Sequence, residues 1–256
     1  MLMSPDHRTF FVVVPIFNEE RGLRVTLDSL AAQSDCEFTL VLVDNESTDG
    51  STAIARAFAH EWPALAVHLL SESWKGTGAA ADTGFRFAIA HGAQWIARTD
   101  ADCLPDRHWV RNLKGALADD GLEFVAGVIR PREDESALAL WDRLVLRGMI
   151  WIAERYGRFS RRGARFKYPY FMAAGNNLAI SAALYVRSGG FPRRAIEEVH
   201  EDRALSESVR TLTTRAARRT DVIVYNSVRR VRAYGYLNTL RWYRNHGYRG
   251  AIVDVR

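Results

Sequence analysis

The stretch Trp95–Pro105, WIARTDADCLP, ends an apolar run with two aspartates one residue apart, Asp100 and Asp102. In extended backbone, residues i and i+2 point to the same side and lie roughly 6 to 7 Å apart, so two like charges share one small volume and call for a positive partner. The same residues also suit a plain turn, because Asp is a common turn former and Asp106, after Pro105, fits the start of a helix. A second acidic pair, Glu201 and Asp202 in VHEDRALS, opens a helix expected over Arg203–Val209, where negative charge favours the positive helix end. NESTDGS (45–51) supplies Ser, Thr and Asp residues that cap a helix start. KGTGAA (75–80) opens a helix with two glycines beside Lys75, which offers an anion both backbone N–H groups and a cation.

The elements that must position these residues follow a regular order. Three apolar runs, FFVVVP (10–15), FTLVLVD (38–44) and LAVHLL (65–70), each precede a segment with helical apolar spacing: Gly22–Ala32, Ser51–Ala59 and Ala79–Ala90. A fourth run, AQWIARTD, precedes DRHWVRNLKGALAD. Strand alternating with helix predicts an α/β fold with a mainly parallel twisted sheet and helices on both faces, whose ligands bind beyond the carboxyl ends of the strands. The polar residues named above, Glu201 and Asp202 apart, all follow strands. Beyond Gly127 the alternation loosens into a helix expected over Ser136–Tyr156, an Arg-aromatic loop GRFSRRGARFKYPYF, AAGNNLAIS with a helix through Tyr185, the HED helix, a strand DVIVYN (221–226) and a basic aromatic tail.

The chain has 256 residues, 48% hydrophobic and 11% aromatic, enough to bury a substantial core. Its start has no basic region followed by an apolar run and cleavage site, so no signal peptide is expected. The most membrane-like segment, SALALWDRLVLRGMIWIAERYG, is interrupted by Asp142, Arg143, Arg147 and Glu154, which excludes a span of roughly 18 to 20 uncharged residues. Two cysteines without CxxC spacing fit a reducing compartment, so the chain is placed in the cytoplasm, soluble or at most peripheral at the inner face of the membrane. The net charge of +5 divides unevenly: 10 Lys+Arg stand against 18 Asp+Glu up to residue 128, and 25 against 12 beyond it. A basic second half suits nucleic acid, an anionic membrane surface or a phosphorylated small molecule.

Taken together, VVVPIFNEE, VLVDNESTDGS, KGTGAAADTGFRFA, TDADC, GNNLAIS with SGGFP, and HED resemble in order and spacing the family 2 glycosyltransferases, from about Phe10 to about Tyr243. The resemblance implies a single GT-A domain over 1–256, with residues 1–128 as the nucleotide-sugar-binding half and 129–256 as the acceptor-binding and catalytic-base half. It implies a nucleoside-diphosphate sugar donor and inverting transfer, with Asp202 as base and Glu201 as its rival. It also implies Mg²⁺ or Mn²⁺ bound by Asp102, with Asp100 nearer the ribose; hard carboxylate oxygens suit either ion. Asp44 falls on the nucleobase, the Pro15, Phe17 and Glu19 loop along the nucleoside, and Lys75 near base or phosphates. Gly175 and Asn177 line the donor-sugar and acceptor side, while Asn176 also reads as a turn residue.

One departure is visible. Many GT-A enzymes carry a metal-site histidine soon after the strand that follows the acidic pair, and VIVYNSVRRVR has none. Arg229 and Arg230, with Arg232 behind them, are the residues expected to neutralise the diphosphate, because guanidinium matches phosphate geometry; His246 is the alternative for the metal. Two other readings compete. A sugar nucleotidyltransferase would open with a long glycine-rich loop, unlike PIFNEERG, and a non-catalytic nucleic-acid binder would leave the acidic first-half motifs unexplained, so no nucleic-acid partner is expected. The nucleotide, the sugar, the oligomeric state and the acceptor, whether lipid-linked, polysaccharide or small molecule, stay open at this point.

Overall fold

The computed structural model describes residues 9–132, 163–193 and 200–229, together with 134, 141, 145, 148, 151, 152, 155–159, 231–233, 235, 236 and 238. The expected alternation is present in the first half: β1 (Phe10–Ile16), α1 (Leu23–Ala31), β2 (Thr39–Asp44), α2 (Ser51–Glu61), β3 (Ala66–Ser71), α3 (Thr77–Ala90) and β4 (Trp95–Arg98). A short β5 (Cys103–Pro105), α4 (Trp109–Lys114) with a π-helical turn to Asp119, and β6 (Phe124–Pro131) follow. Then come β7 (Leu178–Ser181), α5 (Ala182–Ser188), α6 (Glu201–Leu212) and β8 (Ala216–Asn226).

The eight strands form one sheet in the order β3-β2-β1-β4-β7-β6-β8-β5. β3, β2, β1 and β4 run parallel, whereas β7 pairs antiparallel with both β4 and β6, and β5 antiparallel with β8. Every residue of β1 and β2 is buried. The reason is that both sheet faces are covered, so strands read as continuous apolar runs. Phe10, Val12, Val14, Leu40 and Leu42 pack with Leu23, Leu27, Leu30, Phe58 and Trp109 on one face. Phe11, Val13, Val41 and Val43 pack with Ala80, Phe85, Leu184 and Val209 on the other.

The sequence expectation differs from the structure in three places. The HED helix runs longer at both ends, Glu201–Leu212, and the last strand starts at Ala216 rather than 221. β5 was not anticipated, since three residues carry no periodic signal. Most of the expected helix Ser136–Tyr156 lies outside the described residues; Trp141, Val145, Gly148, Trp151, Ile152 and residues 155–159 are helical. Among the described residues, no helix is long and apolar enough to cross a membrane.

Candidate active site

Because β1, β2 and β4 are parallel, Ile16, Asp44 and Arg98 end at one edge of the sheet, and the loops beyond them meet there. Two of those loops are fastened together. Asn18, held at φ 51°, accepts the Thr48 amide at 2.8 Å, and its own amide donates to Ser47 Oγ at 3.0 Å. Ser51 Oγ accepts the Glu19 amide at 2.8 Å, and Glu20 Oε2 accepts the Gly50 amide at 2.8 Å. Asn45 ties in the next loop, donating to the Glu72 and Trp74 carbonyls at 2.7 and 2.9 Å and accepting the Gly76 amide at 2.9 Å. Pro15 lies in β1 opposite Val43, Phe17 is half-buried, Asp44 is buried at its strand end, and Lys75 is exposed beyond β3.

The Asp100–Asp102 link occupies the four residues between β4 and β5. α1 holds it through Thr26 Oγ1, which donates to the Ala101 carbonyl at 2.8 Å. The positive partner expected from the sequence comes from the chain itself. Arg98, only 1% exposed, donates to Asp100 Oδ1 through Nε at 3.2 Å and Nη2 at 3.1 Å, and from Nη2 to Glu201 Oε1 at 3.1 Å. Burial disfavours the Arg98 charge, but Asp100, Glu201 and Asp202 outweigh it and hold the guanidinium firmly protonated. Gly175 faces it so closely that a Cβ there would fall 2.9 Å from Cζ. Sequence reasoning missed Arg98; its only signal was a single arginine in an otherwise apolar strand.

Asp102 has its own guanidinium. Arg229 Nη2 lies 3.7 Å from Asp102 Oδ2 and 2.6 Å from Glu19 Oε2. The Asp102 main chain is fixed by buried Arg132, whose Nη1 donates to its carbonyl at 3.0 Å. Cys103 donates to Asp102 Oδ1 at 3.4 Å, and burial pushes its thiol well above its usual range, so it stays a protonated donor.

Glu201 and Asp202 form the first turn of α6 and face different partners. Glu201 is buried against Arg98, whereas Asp202 Oδ2 accepts the Gly175 amide at 3.1 Å and Oδ1 accepts the Arg203 amide at 2.6 Å. Asp202 is half-buried, and the desolvation of its carboxyl raises its pKa. Arg98 and the two amides oppose that rise, and Asp100 adds to it.

Asn177 does not line this cleft. It is 1% exposed, donates to the Val128 and Val222 carbonyls at 3.0 and 3.2 Å, and accepts the Trp109 indole N–H at 2.9 Å. Its amide therefore bridges β6 and β8 at the register shift between Ala126 and Val128, where Gly127 alone leaves room. The expected result of Asn177→Ala is a loss of about 2 to 4 kcal/mol in denaturant unfolding, because a buried indole N–H and two carbonyls lose their partner. Unchanged stability would contradict that structural role. Arg230 and His246 lie outside the described residues, and Arg232 lies on a helical turn after β8.

The site can accept a small hard cation without being a preformed cage. Among the described residues no three His, Cys, Asp or Glu side chains converge to hold one. Mg²⁺ binds through one or two carboxylates plus substrate phosphates. Asp100 and Asp102 keep 32% and 29% side-chain exposure, and the second Asp100 oxygen takes no hydrogen bond from a described residue.

This architecture, a curled and mostly parallel sheet with helices on both faces and acidic strand ends at one edge, is the GT-A fold. Residues 11–185 match the model of Glycosyl transferase family 2, and the chain belongs to that family. The family match favours neither the nucleotidyltransferase nor the nucleic-acid-binder reading. A curated relative, glycosyltransferase AglE of Haloferax volcanii, is 25% identical over 79% of this chain and 62% of its own. Another, the undecaprenyl-phosphate 4-deoxy-4-formamido-L-arabinose transferase of Aeromonas hydrophila, is 29% identical over 80% of this chain and 64% of its own. The chain thus spans less than two-thirds of the length of either relative. The solved mannosyltransferase PcManGT of Pyrobaculum calidifontis, in complex with GDP-Man and Mn²⁺, has a TM-score of 0.64 at 26% identity, covering 88% of this chain and 59% of that one.

Proposed function

We propose that the chain moves a sugar from a nucleoside-diphosphate sugar to an acceptor hydroxyl, with inversion at the anomeric carbon. The acceptor oxygen attacks that carbon while its proton passes to the Asp202 carboxylate, and the bond from the carbon to the diphosphate breaks to release nucleoside diphosphate. The observation that carries this reading is the meeting of Asp100, Glu201 and Asp202 around the buried Arg98 guanidinium, which couples the donor end of β4 to the start of α6. Glu201 is occupied by that ion pair, which leaves Asp202 as the base. Gly175 contributes an amide that orients it.

Asp102 and Asp100 would hold a divalent cation that neutralises charge developing on the leaving diphosphate. The complex of the Pyrobaculum enzyme with GDP-Man and Mn²⁺ supports this. Asp44 and the Pro15, Phe17 and Glu19 loop receive the nucleoside, and Lys75 approaches it from the β3–α3 side. Arg229 contacts the diphosphate, with Arg230 as its sequence neighbour. Removing the charge in Arg229→Gln is expected to weaken nucleoside diphosphate at least about tenfold by calorimetry while leaving nucleoside binding nearly unchanged, the size of a lost charge-assisted hydrogen bond. Equal losses for both ligands would remove Arg229 from the diphosphate.

The function itself is tested by melting the protein against a panel of nucleotide sugars with and without Mn²⁺. A true donor at a hundredfold excess over its Kd adds about 2.7 kcal/mol of stability. No stabilisation by any nucleotide sugar, with or without metal, would sink the reading.

A further inference from the structure

Given the roles proposed for Asp102 and Asp202, we infer that Asn176 and Cys103 are positioning residues for Asp102, and that the turn carrying Asn176 holds the metal carboxylate and the base at a fixed separation. The turn runs from Ala174 to Asn177 and is closed by the Asn177 amide, which donates to the Ala174 carbonyl at 3.0 Å. It stands just before β7 and is sunk in the protein: Gly175 is buried, Asn176 is 8% exposed and Asn177 1%.

Three successive residues of this turn reach three different places. The Gly175 amide donates to Asp202 Oδ2 at 3.1 Å. Asn176 Nδ2 donates to Cys103 Sγ at 3.5 Å, and Cys103 in turn donates to Asp102 Oδ1 at 3.4 Å. Asn177 fixes the turn to β6, to β8 and to Trp109 of α4. One short hydrogen-bonded piece of chain thus backs both the base and the metal carboxylate, which stand 100 residues apart in the sequence.

Two features assign this arrangement to the site rather than to the core. Asn176 Oδ1 is buried and has no hydrogen-bond partner among the described residues, and a buried carbonyl without a donor lowers stability rather than raising it. Cys103, fully buried in β5, has a second acceptor: Asn226 Oδ1, 3.2 Å away on the paired strand β8. A thiol carries one proton. When a divalent cation draws on the Asp102 carboxylate, the S–H can turn to Asn226 and stay bonded, so it directs Asp102 without competing for it. Carboxylates that bind metals are themselves hydrogen-bonded, and those outer bonds set their direction.

The test compares Asn176→Ala, Cys103→Ala and Cys103→Ser with the wild-type chain by thermal melting and by calorimetry of nucleoside diphosphate with and without Mn²⁺. Asn176→Ala is expected to melt no lower than wild type, because the unpartnered carbonyl leaves with the side chain, and yet to lose about threefold or more of the Mn²⁺-dependent affinity. Cys103→Ala should lose as much, whereas Cys103→Ser, whose hydroxyl donates in place of the thiol, should keep most of it. Affinity without metal should stay at the wild-type value in all three. With Cys36→Ser, Cys103 is the chain's sole thiol, and its infrared S–H band should shift when Mn²⁺ and nucleoside diphosphate are added. A thiol that only filled the core would leave that band in place. Wild-type Mn²⁺-dependent affinity in both Asn176→Ala and Cys103→Ala, or an S–H band that Mn²⁺ does not move, overturns the inference. So does a lower melting temperature in Asn176→Ala with equal losses of affinity with and without metal. A wild-type chain that gains nothing from Mn²⁺, or an Asp102→Ala variant that keeps the gain, overturns the metal assignment and this inference together; with those two controls as proposed, the inference alone is at stake.

Discussion

Replacing Asp202 with Asn is expected to lower transfer by roughly 10² to 10⁴ while donor and metal bind with near-normal affinity, the usual size of a general-base contribution. The substitution keeps the shape and lets the amide oxygen go on accepting the Gly175 N–H, but it cannot take the acceptor proton. The pH profile supplies a second check. Burial raises the Asp202 pKa against the pull of Arg98 and the Gly175 and Arg203 amides, and the base works only when deprotonated. Rate should therefore fall on the acid side at a pH above the ordinary aspartate range, and Asp202→Asn should abolish that limb. Glu201→Gln should behave differently, because Glu201 bonds Arg98 and its loss disturbs the guanidinium that also fixes Asp100. Retained turnover in Asp202→Asn beside a collapse in Glu201→Gln would transfer the role to Glu201.

Asp102→Ala should abolish the part of donor binding that depends on a divalent cation. The metal is asked to supply several kcal/mol of charge stabilisation, so transfer should drop by more than about a hundredfold. Calorimetry of nucleoside diphosphate with and without Mn²⁺ separates the causes, since a misfolded variant loses both signals and a correctly folded one loses only the metal-dependent increment. Unchanged Mn²⁺-dependent binding in the variant would show the metal assignment to be wrong. Glu19 remains as a partner for Arg229, so the loop after β1 should keep its place.

The parts of the fold legible in the sequence were those that apolar burial writes. Val12, Val13 and Val14 announce a strand covered on both sides, and the helices after β1, β2 and β3 show their spacing. The two faces of the core were not legible, because a continuous apolar run does not reveal which residue points where until the strand is placed. The first part of β8 was missed for a different reason. Ala216–Thr220, AARRT, has no apolar run and is half-exposed to exposed, and it joins the sheet through the backbone pairing of Ala216, Ala217 and Arg218 with β6. At the site, Asp100, Asp102, Glu201 and Asp202 stood out because acidic residues after an apolar strand or before a helix need a physical reason. Asn177 stood out too, yet an asparagine beside a turn has the same spelling whether its amide faces a sugar or, as here, closes hydrogen bonds inside the sheet. Arg98 was hidden because one arginine at a strand end usually reaches solvent, and nothing local says that Glu201, 103 residues later, comes to meet it.

The position of β8 between β6 and β5 sets a clock on the protein's synthesis. Cys103 and Phe124 emerge from the ribosome early, but their strand partners Asn226 and Ala216 are added about a hundred residues later. During that interval β6 has at most β7 beside it and β5 has no neighbour, and both are open to pairing with other chains. The acidic end of the sheet, where Cys103 steadies Asp102, is thus completed only after β1 to β4 have been made.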